Sequence, residues 1–178
     1  MPTVIEASQQ MEVSEAALSH LSEGMAPDAA VKALRAAGLV QDALKLTARL
    51  LPKSYAVAWA CQCARAEPLG MEARAGAALA EAWVRDPNEQ NRRAAYEFAH
   101  AGGYKSVGAW LAATAGWASG SLAPAAQQVP VPPPDQLTAK ATVAAVSMLA
   151  AQVAEKFDER LRKYMDSAMG LLGPGSLG

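Results

Sequence analysis

Two cysteines, two histidines and two phenylalanines are all that a chain of 178 residues holds of each, and aromatic residues together make up 6%. Cys61 and Cys63 stand two apart in a stretch of helical character, which turns their side chains about 200° from one another around the axis. They can neither pair nor chelate one ion together, and with no third cysteine a disulfide framework is excluded. A reducing cytoplasm is the expected location. Neither sign of charge is in excess: 16 basic residues face 17 acidic ones, for a net charge of −1. Binding to nucleic acid needs a basic face, so none is expected. The pair Arg92-Arg93 is too small a cluster and reads as a solvated helix face. No run approaches the roughly 20 consecutive apolar residues of a membrane span. Met1–Glu6 lacks the basic region and apolar run of a secretory signal.

Chemistry-bearing patterns are scarce as well. With only His20 and His100 present, a Cys–His nucleophile pair would have to join His100 to Cys61 or Cys63 across the fold. The plainer reading is two small buried thiols and a histidine near a helix end. A zinc site would have to recruit all four of these residues, against the geometry of the cysteines. Gly102-Gly103 is a helix stop, and Gly116–Gly120 lacks the lysine and preceding strand of a phosphate loop. Ser119-Gly120-Ser121 follows a helix, so it is no nucleophile elbow. Glu155, Asp158 and Glu159 sit among Lys156, Arg160 and Arg162, a solvated ion-pair surface. Neither cofactor nor metal is expected.

What the chain has is alanine. Hydrophobic residues reach 52%, and the excess over an ordinary composition is alanine rather than large side chains. That favours closely packed helices. The stretch Leu51–Arg65 reads as a helix starting at Pro52 and apolar on nearly every side, with only Ser54, Ala58, Gln62 and Arg65 forming a polar or small stripe. Such a helix must be covered all round, so it is placed at the centre of an all-α bundle. Tyr55, Val57, Trp59, Cys61 and Cys63 are its expected core contacts.

Other elements follow from their ends. Residues 1–13 are expected to be mobile, and 14–118 to form the helical core. Ser14 caps a short helix to Leu21, and Pro27 opens another that Gly38 stops. Leu39, Ala43, Leu46, Thr47 and Leu50 give the next apolar stripe, so Pro27–Leu50 forms an antiparallel hairpin. After Pro68-Leu69-Gly70, Met71–Arg85 should turn Ala75, Leu79, Ala82 and Trp83 inward, with Glu81 and Arg85 paired outside. Asp86 is the expected cap of the following helix, with Pro87 at its first position and Glu89 as a capping-box acid. That helix should bury Ala95, Tyr96 and Ala99. Ser106 caps a further one, in which Trp110, Leu111, Thr114 and Trp117 share a face.

Residues 119–135 carry Pro124, Pro130, Pro132, Pro133 and Pro134 without apolar periodicity. At about 3.1 Å per residue, a polyproline II strap of this length can cross the domain. It packs on tryptophan within the chain, or it offers Pro130 and Pro133 to the aromatic groove of a partner. A C-terminal helix over 136–170 has a near-heptad stripe of Val143, Val146, Ala150, Val153, Phe157, Leu161, Tyr164 and Ala168. Unbroken it would span about 48 Å, longer than the domain needs. Either it breaks near Gln152, or its end protrudes to a partner or to a second copy. The tail 171–178 is expected to be disordered.

Several blocks together resemble a bacterial family of uncharacterised all-helical proteins, often encoded near type VI secretion genes. They are Trp59-Ala60-Cys61 within Leu50–Arg65, Trp83–Pro87 leading to Asn91–Ala95, Gly116–Pro124, Val131–Pro134 and Leu137–Lys140. The likeness covers about Ala26–Met148, and the charged C-terminal helix departs from it. It implies a cellular neighbourhood and no activity. The expected function is that of a non-catalytic helical adaptor working through a protein partner. Val153, Phe157, Leu161, Tyr164 and Met165 are its expected contact face. The rival expectation is a small ligand-binding or hydrolytic domain with a pocket near Trp59 and Cys63.

Overall fold

The structure is a computed structural model that describes residues 1–173, and among these residues it is all-helical. The helices are α1 (Val4–Gln10), α2 (Glu15–Leu18), α3 (Pro27–Ala36), α4 (Val40–Leu50) and α5 (Lys53–Arg65). After them come α6 (Met71–Arg85), α7 (Glu89–Ala101), α8 (Val107–Gly116), α9 (Leu137–Ala151) and α10 (Phe157–Ala168). A 3₁₀ turn, Ala154–Lys156, joins the last two. Among the described residues, no single helix is long and apolar enough to cross a membrane.

Local chemistry explains most helix ends. Ser14, Asn88 and Ser106 each accept a hydrogen bond from the amide three residues on. Pro27 stands at the start of α3, and Gly38 takes the left-handed backbone (φ +77°) that turns the α3–α4 hairpin. The α7 cap differs from expectation. Asn88 caps, Glu89 is the first helical residue, and Asp86 supports the cap by accepting from the Asn88 side chain. The first thirteen residues are not loose either. Thr3 and Glu6 form a reciprocal capping box, and Val4 and Ala7 are buried. Leu172, expected in a disordered tail, is buried as well. The rest of that tail, 174–178, lies outside the described residues.

Helix α5 divides its two sides between two apolar clusters, which is why it is apolar nearly all round. Trp59, Ala60, Cys63 and Ala64 face the larger cluster with α3, α4, α9 and α10, whereas Val57 and Cys61 face a second cluster with α6, α7 and α8. Trp59 is fully buried, and its indole N–H donates to the Tyr164 carbonyl (3.0 Å) and the Ser167 hydroxyl (3.1 Å) of α10. Tyr55, expected inside, is half exposed. It stands one turn from the start of the helix, before the neighbours close in.

The most enclosed helix is α8 rather than α5. Every residue from Gly108 to Gly116 is buried except the part-covered Trp110, and α5, α6, α7 and α9 all pack on it. Helices α6 and α8 cross at a glycine pair. A Cβ added to Gly76 would lie 2.0 Å from the Gly108 carbonyl oxygen, and one added to Gly108 would lie 2.4 Å from that of Glu72. The buried face of α6 is accordingly Gly76, Ala77, Ala80 and Trp83, and Ala75 is exposed. Glu81 pairs with Arg65 of α5 (2.6 Å) rather than with Arg85, tying the two helices.

Candidate interaction site

The proline-rich segment does not cross the domain. It folds back on itself and is fastened to α7 and, at its far end, to α5. The Leu122 amide donates to the Val131 carbonyl (2.8 Å), and the Ser121 hydroxyl accepts from both the Ala123 and Val131 amides (3.0 and 2.8 Å). Residues 122–131 thus close as a loop whose two ends meet. From α7, Tyr96 donates its hydroxyl to the Leu122 carbonyl (2.6 Å) and Arg93 donates to that of Ala123 (3.0 Å). Farther out, Lys53 donates to the Ala118 carbonyl and pairs with Asp135, and the Thr138 hydroxyl donates to the Thr114 carbonyl.

Beneath this loop lies Arg92, whose side chain is 0% exposed. The expected solvated arginine pair is therefore a structural anchor. Arg92 Nε and Nη2 donate to the two carboxylate oxygens of Glu89 (2.7 and 2.5 Å), and Nη1 donates to the Gly116 carbonyl at the end of α8 (2.8 Å). A guanidinium offers five donors in a fixed fork, and burial is tolerable only when the charge is answered and the donors are engaged. Glu89 answers the charge, and the hydrogen bonds from Arg92 hold its carboxyl below the usual range. Gly120 lies over the guanidinium with φ +72°, where a Cβ would come within 2.5 Å of Nε. No other residue type fits there without displacing the arginine. Next to it, Arg93 stacks on the Tyr96 ring at 4.8 Å, and His100 stacks on the same residue at 6.0 Å.

Outward, the loop presents apolar and proline side chains. Val129 is 70% exposed and Val131 45%, with Pro130, Pro132 and Pro134 also exposed. An open cleft of about 460 Å³ separates the loop from the first turns of α7, with Gln90, Arg93, Gln127 and Gln128 on its walls. The tryptophans do not carry the segment. Trp110 and Trp117 meet edge to face at 5.7 Å and enclose Tyr104 with tilted rings at 5.3–5.5 Å.

The face expected to meet a partner is largely covered by the chain itself. Leu161, Tyr164 and Met165 are buried in the larger cluster, and Val153 and Phe157 are part-covered at the α9–α10 junction. The near-heptad stripe is core because the chain turns at 152–156 and lays α10 back over α4 and α5. Tyr164 donates its hydroxyl to Glu67 (2.8 Å), and Arg160 pairs with Glu67 at 3.2 Å. Burial pushes the Tyr164 phenol up.

The sulfur atoms are placed for packing. Cys61 donates weakly to the Ala77 carbonyl, and burial pushes both thiols up to about 12. A shallow depression of about 270 Å³ beside α5 is lined by Cys61, Gln62, Arg65, Glu81 and neighbours, but not by Trp59 or Cys63. Among the described residues, no group of three or more His, Cys, Asp or Glu side chains is arranged to share a metal ion. In the folded chain a thiol reagent at neutral pH is expected to label neither cysteine, and to label both in denaturant. Rapid labelling of either under native conditions would contradict the burial of both thiols.

A family model described as a family of unknown function, DUF6931, matches residues 30–172. The chain belongs to this family. The DUF6931 match contains the residues of the arginine anchor, the closed loop and both C-terminal helices. No curated protein and no solved structure matches the chain.

Reasoning from sequence assigns Arg92 and Arg93 only a solvated helix face, Tyr96 only a buried position, and Gly120 and Ser121 no role, so it misses their part in fastening the loop. One signal for Arg92 was present, the Glu89–Arg92 spacing of three on a helix, which fits a fork around a carboxylate. The other contact, the Gly116 carbonyl, lies 24 residues away and has no local signature.

Proposed function

We propose that this chain is a non-catalytic helical adaptor that acts through protein–protein contacts, with the fastened proline-rich loop as its contact surface. The observation that carries this reading is the contrast within the loop. Its ends are held by Ser121, Tyr96, Arg93 and the buried Arg92, while Val129 and Val131 point outward uncovered. Holding an apolar, proline-containing segment in one conformation lowers the ordering cost that a partner would otherwise meet on binding. Proline segments of this kind dock on aromatic-lined grooves. On the family likeness described from sequence, the setting we propose is bacterial type VI secretion, at the loading or assembly of an effector or spike.

The test is capture from the native host under gentle lysis, comparing the wild-type chain with a Val129→Asp/Val131→Asp double variant. The reading expects a defined partner that the wild type retains and the variant loses, with unchanged thermal stability in both. A wild-type monomer that brings nothing down, or a partner held equally by both chains, would overturn the loop as the contact surface. A captured protein unrelated to secretion would retain the adaptor and remove the type VI setting.

A further inference from the structure

Helices α9 and α10 meet at 117°, although the sequence at the junction has no helix-breaking residue. Leu137–Ala168 contains no glycine and no proline, and Gln152, Ala154, Glu155 and Lys156 are good helix formers. Sharp kinks ordinarily trace to proline, to glycine or to an inserted group. Here the backbone leaves the helical region at Val153 (φ −126°, ψ 88°) and again at Lys156 (φ −114°, ψ 17°), with a 3₁₀ turn between them.

The cause is tertiary. Arg160 of α10 reaches back and donates Nη2 to the Leu149 carbonyl of α9 (3.0 Å), which also accepts from the Gln152 amide (3.3 Å), and to the Tyr164 hydroxyl (3.1 Å). Its Nε is buried without an acceptor, so the pin leaves a donor unanswered. The folded-back helix seats Leu161, Tyr164, Met165 and Ala168 on the larger cluster. Yet the apolar stripe continues in helical register through Val146, Ala150, Val153 and Phe157, and the last two stay only part-covered at the bend. The local sequence favours one long helix, and the bend exists for the sake of the seat.

We propose that α10 is an exchangeable arm whose alternative partner is a second copy of this chain. In the exchanged dimer, Gln152–Lys156 straightens so that α9 and α10 run on as one helix. The α10 of each copy then occupies the seat of the other. The seat contacts are the same in both forms, so the balance rests on the junction and on concentration. Straightening replaces the 3₁₀ turn by regular i→i−4 hydrogen bonds and lets the Phe157 side chains of the two copies meet. The proposal is independent of any role for the proline-rich loop.

The test is to unfold the full-length chain, refold it at high and at low concentration, and sediment the products. Concentrated refolding is expected to yield a dimer that dilute refolding does not. Val153→Ala should raise the dimer fraction and Val153→Gly should lower it. Glycine and alanine differ about fivefold per hinge in helix preference, hence about thirtyfold for the two hinges of a dimer. Should Val153→Gly fail to fold, wild type against Val153→Ala still measures the effect, at about fivefold for two hinges.

Exchange itself is read by co-refolding an Arg35→Cys copy with an Asp166→Cys copy and adding a short thiol-to-thiol linker. Those residues form an ion pair at 2.6 Å between α3 and α10, so a link between copies forms when the α10 of one sits on the other. Cys61 and Cys63 are buried and do not compete. A chain that stays monomeric at every concentration in both wild type and Val153→Ala would overturn the proposal. So would a dimer that shows no link between copies, or one insensitive to residue 153.

Discussion

Gly76→Ala is expected to destabilise the fold by about 3 kcal/mol or more, a fall in Tm of roughly 6–12 °C for a chain of this size. The sign is the informative part. In the middle of an exposed helix, glycine to alanine normally stabilises by about 1 kcal/mol, because glycine loses more backbone entropy on folding. At Gly76 the new methyl would stand 2.0 Å from the Gly108 carbonyl oxygen, and the atoms it meets belong to helix backbone, which cannot rotate away. Helices α6 and α8 would have to separate, and α8 is enclosed by four other helices. Gly108→Ala should behave alike, since its methyl would meet the Glu72 carbonyl at 2.4 Å. Gly70→Ala is the control: nothing lies within 4 Å, so its cost is only that of replacing glycine at the start of α6, about 1 kcal/mol or less. A Gly76→Ala chain that melts at or above the wild type would refute the close crossing.

Removing the arginine anchor is the second large effect. Arg92→Ala is expected to cost about 3 kcal/mol, combining the cavity left by a fully buried side chain with a Gly116 carbonyl stripped of its donor. A structural readout accompanies the melting curve. With Gly120 no longer seated on the guanidinium, limited proteolysis within Pro124–Pro134 should accelerate well beyond what the lower stability alone produces. Wild-type cleavage rates in that loop would show that Arg92 holds the helix ends but not the loop. Glu89→Gln tests the same fork from the other side, leaving a buried cation without its carboxylate at an expected cost of about 2 kcal/mol.

The fork also fixes a direction with pH. Glu89 has its carboxyl held low in the folded chain, chiefly by the hydrogen bonds from Arg92. The unfolded chain therefore takes up that proton first as the solution is acidified. The stabilisation is complete above the ordinary glutamate value of about 4.3 and disappears as pH falls through the lowered folded value. Thermal melts across the acid range should show this loss in the wild type and a smaller one in Glu89→Gln. Equal acid sensitivity in the two chains would remove Glu89 from the account.

How much was legible in the sequence follows the range of the forces involved. The hairpin Pro27–Leu50, the central placement of Trp59 and the serine caps at 14 and 106 were readable, because a cap or a 3.6-residue stripe is written within one turn or one face. Asp86 was the misleading case. Asp86-Pro87 and Asn88-Glu89 are both good starts, and the Asn91 side chain, by donating to the Asp86 and Ala82 carbonyls, settles the matter for Asn88. The candidate site was less legible. Prolines announced an irregular segment, but whether it crossed the domain or closed on itself depended on Ser121, Tyr96 and Arg93 meeting carbonyls far along the chain.

By itself, then, the sequence determined an all-helical chain padded with alanine, the ends of most of its helices, and the burial of the helix that begins after Pro52. Those properties come from local propensity and from how much apolar surface each face carries. Only the tertiary structure decided that α8 is the most enclosed helix, that Arg92 is buried, and that the chain turns at Gln152–Lys156. Each of these results from contacts between distant segments, a glycine crossing, a carbonyl at the end of another helix and a seat for α10, whose combined free energy overrides what neighbouring residues prefer.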